Sequence, residues 1–295
     1  MILCLHPKIS PPLALFIGIL FAQIGEHPFA KFNTHFINIL LKISVVGLGF
    51  GMNATNAWHA GKEGFVFTSI SLLSVLLVGF LLGKVFKTER KTSFLISAGT
   101  AICGGSAIAA ISPLLKASEK QISIALGVVF ILNALALFIF PAVGHHFHLS
   151  QSQFGLWCAI AIHDTSSVVG AASKYGQQAL EVATTVKLAR ALWIIPTAIF
   201  VSIAFKSSGR KIKIPYFIGL FVLAILANSF VPFIHQFSGT INQISKSGLT
   251  LTLFLIGSSL SFRNLKSLGL KPFIQGILLW LLISVAALWS VYYFI

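Results

Sequence analysis

The sequence predicts an all-α integral membrane protein: about eight spanning helices plus two interrupted segments, forming a single membrane domain over 1–295 with an inverted structural repeat. Three observations predict it. The chain is 56% hydrophobic and 9% charged, with mean hydropathy +0.92, against about 25% charged residues in a soluble domain. Apolar runs near the roughly 20 residues that cross a bilayer recur along its length. Two central segments, GTAICGGSAIAAISP (Gly99 to Pro113) and AIAIHDTSSVVGAAS (Ala159 to Ser173), are apolar at both flanks and small or polar in the middle. Setting Cys103 on His163 sets Ser106 on Ser166, each 60 positions apart, and each segment leads into a helix. Interrupted hydrophobic segments in corresponding halves of a polytopic chain mark the binding site of a secondary transporter.

In chain order, the crossings fall near Pro11 to Ile24, Phe36 to Trp58, Phe65 to Phe86, Gln121 to Val143, Ala179 to Phe205, Ile214 to Pro232, Ile241 to Phe262 and Pro272 to Ile295. The first is short. The helix after the first interruption is expected from Glu119 to a proline at Pro141. The start, MILCLHPKIS, lacks the charged region, apolar core and cleavage site of a signal peptide.

Charge orients these elements. The net charge of +15, from 21 Lys and Arg against six acids, lies mostly in short loops. It therefore sets orientation by the positive-inside rule and gives no reason to expect nucleic acid. Lys84, Lys87, Arg90 and Lys91 precede the first interruption, and Lys116 and Lys120 follow it. Both ends are expected in the cytoplasm, which fits a re-entrant hairpin better than a crossing. The next loop, GHHFHLSQSQ, has no Lys or Arg and is expected outside. The second interruption, flanked by that loop and by Lys174 alone, is then a hairpin from the outside. Lys206, Arg210, Lys211 and Lys213 return to the cytoplasm, PFIHQFSG lies outside, and Arg263, Lys266 and Lys271 lie inside.

With two hairpins, PPLALFIGIL and PYFIGLFVLA pair in opposite orientation, as do KISVVGLGFGMN and KSGLTLTLFLIGSS. Segments 1–90 and 206–295 would frame a central unit at 91–205. Two crossings instead would make the hairpin-plus-helix units parallel and break the repeat. Hairpins require non-helical backbone to be buried in protein or to line a cavity, and the Gly, Ala and Ser content permits that through close packing.

The chemistry concentrates in the same stretch. Asp164 is the only Asp in the chain. Lys187 and Arg190 lie about 12 Å and about 16 Å along the following helix, near the midplane, and share a face. Ionisable groups at that depth face a protein interior or a wet cavity and are functional hypotheses by default; the bland account is an ion pair of Asp164 with one of them. Two cations, one carboxylate and the titratable His163 favour an anionic substrate. The backbone at Cys103, Gly104 and Gly105 and the hydroxyls of Ser106, Thr165, Ser166 and Ser167 would complete its shell, because a helix break presents N–H groups at a positive dipole end. Arg190 has the fork for bidentate anion binding. His163 and Asp164 are assigned to coupling or gating, His163 either as a proton relay or as a tip residue bonded to backbone.

Other residues have ordinary accounts beside them. Cys4, Cys103 and Cys158 have no CxxC or Cys/His spacing, so neither disulfides nor zinc are indicated. The His145, His146 and His148 cluster reads as metal-like or as an exposed polar loop. Lys42 either snorkels or reaches the site. Glu181 is a favourable first-turn acid. No nucleophile triad, P-loop or dinucleotide fingerprint appears, so neither an enzyme, a cofactor nor ATP drive is expected.

At ICGGSAIAAISPLLKA, IHDTSSVVGAA, VKLARAL followed by IIP, GLGF of the second helix and the closing GSSLSFRNLKSLGLKP, the chain resembles the YeiH-like sulfate exporter family of bacterial inner-membrane proteins. The resemblance covers nearly the whole chain. It implies a multipass permease moving a small inorganic or organic anion such as sulfate. Ser112 stands before Pro113 where that family carries an acid, and Ser167 where it carries Gln. Relatives commonly begin with one more hydrophobic helix, whose absence would leave the N-terminus outside.

The expectation is thus a secondary exporter working by alternating access around the two tips, with Lys187 and Arg190 on the anion. H+ or Na+ is the candidate coupling ion, the lipid bilayer the partner, and a homodimer compatible with such a fold. A cation/proton antiporter, with Asp164 binding the ion while Arg190 and Lys187 neutralise helix ends, is the first alternative. A membrane sensor or scaffold without flux is the second.

Overall fold

A computed structural model describes residues 11–24, 30–204, 216–258 and 269–295. The loop charges at Lys206, Arg210, Lys211, Lys213, Arg263 and Lys266 lie outside these described residues, as do Ile214, Phe205 and Phe262 at the ends of expected crossings. Every regular element among the described residues is a helix: α1 (Pro11–Ile24), α2 (Ala30–Gly49), α3 (Ala54–Val85), α4 (Arg90–Ala101), α5 (Gly105–Ile111), α6 (Glu119–His146), α7 (Gln151–Ala161), α8 (Thr165–Tyr175), α9 (Gln177–Ala191), α10 (Ile194–Ala204), α11 (Tyr216–Phe230), α12 (Pro232–His235), α13 (Ser238–Ser258) and α14 (Leu270–Phe294).

Among the described residues, four stretches are long and apolar enough to cross a membrane: Phe67–Val85, Glu119–His146, Gln177–Ala204 and Leu270–Phe294. Four expected crossings differ; the seventh, from Ile241 to Phe262, is described to Ser258 as α13 and is not among these four stretches. The run from Phe36 to Trp58 is broken: the chain bends by 111° between Ile39–Gly49 and Ala54–Lys62. Asn53 starts α3 there, its side chain accepting from Thr55 N–H at 2.9 Å, the bond an N-cap makes to free helix donors. The first and sixth crossings are short apolar helices, Leu13–Ala22 and Tyr216–Phe230. The helix from Glu119 does not stop at Pro141 but continues to His146, a proline position that membrane helices tolerate when neighbours meet the freed carbonyl.

Both interrupted segments fold back on themselves. Lys91, in the first turn of α4, donates through Nζ to the Lys116 carbonyl beyond α5 at 2.9 Å, and Gln121 of α6 donates to Glu89 before α4. The chain therefore enters and leaves the α4–α5 segment at one end of the bundle. The α7–α8 segment has its two ends together at the opposite end of α6. Tyr175 Oη donates to the Leu149 carbonyl at 2.6 Å, the Tyr175 ring stacks on Phe154 at 3.7 Å and on His145 at 4.5 Å, and Gln151 Oε1 accepts from Gln178 N–H at 3.0 Å. The helices that leave these bases start with the same device, a capping box of Ser118 with Gln121 at α6 and of Ser150 with Gln153 at α7, each satisfying two helix-end donors reciprocally.

Packing sorts the remaining helices. α1 lies along α13, crossing so closely that a Cβ on Gly18 would meet the Phe254 carbonyl and one on Gly257 the Leu15 carbonyl. α2 packs on α13 and α11. By contrast, α3 and α14, assigned from sequence to the framing segments, lie directly on the central unit. Gln275 of α14 donates to Ser93 Oγ of α4 at 2.7 Å and to the Gly79 carbonyl of α3 at 3.1 Å, and Trp157 of α7 donates to the Ser284 carbonyl at 2.9 Å.

Candidate functional site

The two hairpin tips meet. A Cβ built on Gly104 would stand 3.3 Å from the Asp164 Cβ and 3.3 Å from Val129 of α6. Gly104 has φ +63° and ψ −126°, a conformation essentially restricted to glycine, which explains its place at this turn. The breaks leave four helix ends at the junction: the carboxyl ends of α4 and α7 and the amino ends of α5 and α8. Each end of an isolated helix leaves about four backbone groups unmet, so where those groups go defines the site.

The carboxyl ends are met by α9. Arg190, fully buried, donates through Nε to the Ala101 carbonyl at 2.7 Å and through Nη2 to that of Thr100 at 3.3 Å. Its Nη1 donates to Ile160 and, at 3.4 Å, to Ala159. Lys187, also fully buried, donates through Nζ to the Ile162 carbonyl at 2.6 Å and to that of Ala159 at 3.3 Å. The two other terminal carbonyls of α4 are met by backbone, Ala98 by Ile102 N–H and Gly99 by Gly104 N–H. Cations are also electrostatically favoured at carboxyl ends of helices.

The amino end of α8 is capped by Asp164, whose Oδ1 accepts from Ser167 N–H at 2.7 Å and from Ser166 Oγ at 3.0 Å. Asn133 holds that cap from α6: its Nδ2 donates to Asp164 Oδ2 at 3.1 Å, and its Oδ1 accepts from His163 N–H at 3.0 Å. Sequence reasoning missed Asn133. The available signal was that it is the only polar side chain between Ser123 and His145 of an apolar helix. α5 begins without a side-chain cap.

The expected site residues separate by exposure. Cys103, Ser166 and Ser167 are buried, Gly105, Asp164 and Thr165 half-buried, and Ser106 exposed. Ser106, Gly105, Thr165 and Asp164 are thus the tip residues not fully enclosed by the protein. His163 is fully buried, with no hydrogen bond of good geometry at either ring nitrogen. Lys42 lies over the Tyr216 ring at 5.4 Å, away from the junction. Glu181 accepts from Gln177, which in turn accepts from Lys246 of α13. A cavity of about 220 Å³ between Met52, His59, Ser152 and Glu181, and one of about 360 Å³ beside Asn242 and Lys246, lie near the base of the second hairpin, and neither includes a tip residue.

Long apolar helices with broken segments between them define a multi-pass membrane protein. The chain belongs to the family described as "Conserved hypothetical protein 698", whose model matches residues 3–276. Relatives named UPF0324 membrane protein include one of Bacteroides thetaiotaomicron, 55% identical over 97% of this chain and 87% of its own length. One of Porphyromonas gingivalis is 49% identical over 96% and 88%, and one of Vibrio parahaemolyticus 48% identical over 98% and 94%. No solved structure matches the chain.

Proposed function

We propose that this membrane protein is a secondary transporter of a small anion, sulfate or a related inorganic or organic anion, acting by alternating access at the junction of the two tips in the bacterial inner membrane. The observation that carries this reading is the division of helix ends. Arg190 and Lys187 spend their donors on the carboxyl ends of α4 and α7, which leaves the amino ends of α5 and α8 facing the junction. Two cations stand against one carboxylate there, so the local field favours negative charge. Lys187 and Arg190 act in this reading as positioning residues, not as direct anion ligands. Ser106, Thr165 and the backbone at Gly105 are the contacts offered to the anion.

Two hairpins with bases at opposite ends of α6 and tips in contact fit an inverted repeat, the symmetry that lets one site open to either side. The resemblance to sulfate exporters gives the same substrate class. The reading assigns the protein no catalytic step.

The antiporter reading is favoured by a separate observation: the two cations sit on helix ends, and Asp164 keeps part of its surface open. Its carboxylate is, however, already engaged by Asn133, Ser166 and Ser167. Proteoliposomes loaded with sulfate, phosphate or small carboxylates separate the two. Anion counterflow that is reduced but measurable in Asp164→Asn supports the anion carrier. Sodium or proton exchange abolished by Asp164→Asn, with no anion flux in wild type, replaces it by the antiporter, and the absence of all flux leaves the scaffold.

A further inference from the structure

In transporters with broken helices, the carbonyls at half-helix carboxyl ends and unwound turns are the groups that coordinate a coupling Na+. This chain has such carbonyls on two breaks, at Thr100, Ala101, Ala159, Ile160 and Ile162, and each faces a nitrogen of Lys187 or Arg190. Both side chains are fully buried, so the occupant of these carbonyls is part of the chain itself. A metal ion entering the same cage would have to displace an ammonium or guanidinium from its carbonyls and remain beside the other fixed cation.

We propose that the carbonyl cage at the ends of α4 and α7 is a monovalent-cation site filled by the protein's own side chains, so that the protein neither binds nor requires Na+ or K+ there. The Lys187 ammonium is the occupant that can be replaced. It makes its two bonds from a compact head, to Ile162 and Ala159, whereas Arg190 spans both helix ends. Removing the Lys187 side chain to Cβ opens a carbonyl-lined space that retains the field of both carboxyl ends, and ammonium or potassium from solution can occupy it. The consequence for coupling rests on the transporter reading; the binding does not.

The test is the thermal midpoint of purified protein in sodium, potassium, ammonium or choline chloride at equal concentration. Wild type and Lys187→Arg are expected to melt alike in all four. Lys187→Ala is expected to melt lower in choline and to rise, saturably, with ammonium or potassium. A sodium- or potassium-specific rise in wild type overturns the proposal, as does a Lys187→Ala protein equally stable in all four salts. If that variant cannot be purified in choline, recovery of folded protein in ammonium chloride is the expected result, and loss in both salts overturns it. No substrate anion enters this readout, so an inert anion panel would sink the transporter reading and leave this inference standing.

Discussion

Arg190→Ala removes one side chain and unties two helices that are distant in sequence. The guanidinium satisfies Thr100 and Ala101 at the end of α4 and Ile160 at the end of α7; Ala159 is shared and keeps Lys187. Three buried carbonyls therefore lose their partners. At about 1–3 kcal/mol for each orphaned buried group, the cost is about 3–9 kcal/mol, a large share of a typical folding stability of about 5–15 kcal/mol. Water entering the vacated space would bring the value toward the lower end. Arg190→Lys keeps the charge but offers a point donor in place of a fork, so it should recover part of the loss and not all. The assay is thermal unfolding of the detergent-purified protein, with the Trp and Tyr signal followed for wild type and both variants. An Arg190→Ala protein that melts with wild type would refute the assignment of Arg190 as the tie between the two hairpins.

Three further outcomes follow from the same geometry. Gly104→Ala puts a side chain at φ +63° and against Asp164, costing about 1–3 kcal/mol, whereas Gly105→Ala one position on meets the Phe130 ring at 3.2 Å and Leu126 at 3.5 Å and should cost less; equal melting of the two variants would contradict the strained turn. Asn133→Leu leaves His163 N–H and one Asp164 oxygen without their partner, so about 1–3 kcal/mol per group should be lost, together with any ligand-induced stabilisation. In a background free of reactive cysteines, Arg90→Cys and Lys116→Cys should react with an impermeant maleimide from one face of the membrane, and Gln151→Cys and Lys174→Cys from the other. Labelling of Arg90→Cys and Lys116→Cys from opposite faces would mean that the first segment crosses.

The fold-back of the first segment was legible because its base is charged: Lys91 and Lys116, read from sequence as two cytoplasmic ends, lie in hydrogen-bond contact. The tips were legible because Asp164 and the CGGS run have no place in a continuous apolar helix. The break at 50–53 was hidden by the apolar residues on both sides of it, although Asn53 is a normal helix-starting residue. The length of α6 was underestimated because Pro141 is a stop signal in water and a tolerated residue inside a helical bundle. The contacts of Lys187 and Arg190 were not legible. Spacing puts both on one face of α9, but which carbonyls they meet depends on how two hairpins from opposite ends approach each other. Asn133 was passed over for a related reason, since a single amide in a long apolar helix acquires meaning only from the His163 and Asp164 groups that the fold brings to it.

The central claim is that the junction of the tips holds an anion. The direct measurement is the thermal midpoint of the purified wild type across sulfate, phosphate, small carboxylates and chloride, repeated with Ser106→Ala and Thr165→Val. A ligand at about one hundred times its dissociation constant stabilises the folded state by about 2.7 kcal/mol. One class of anion should raise the wild-type midpoint, and both variants should reduce the rise. No rise with any anion, or an equal rise in the variants, would contradict the claim.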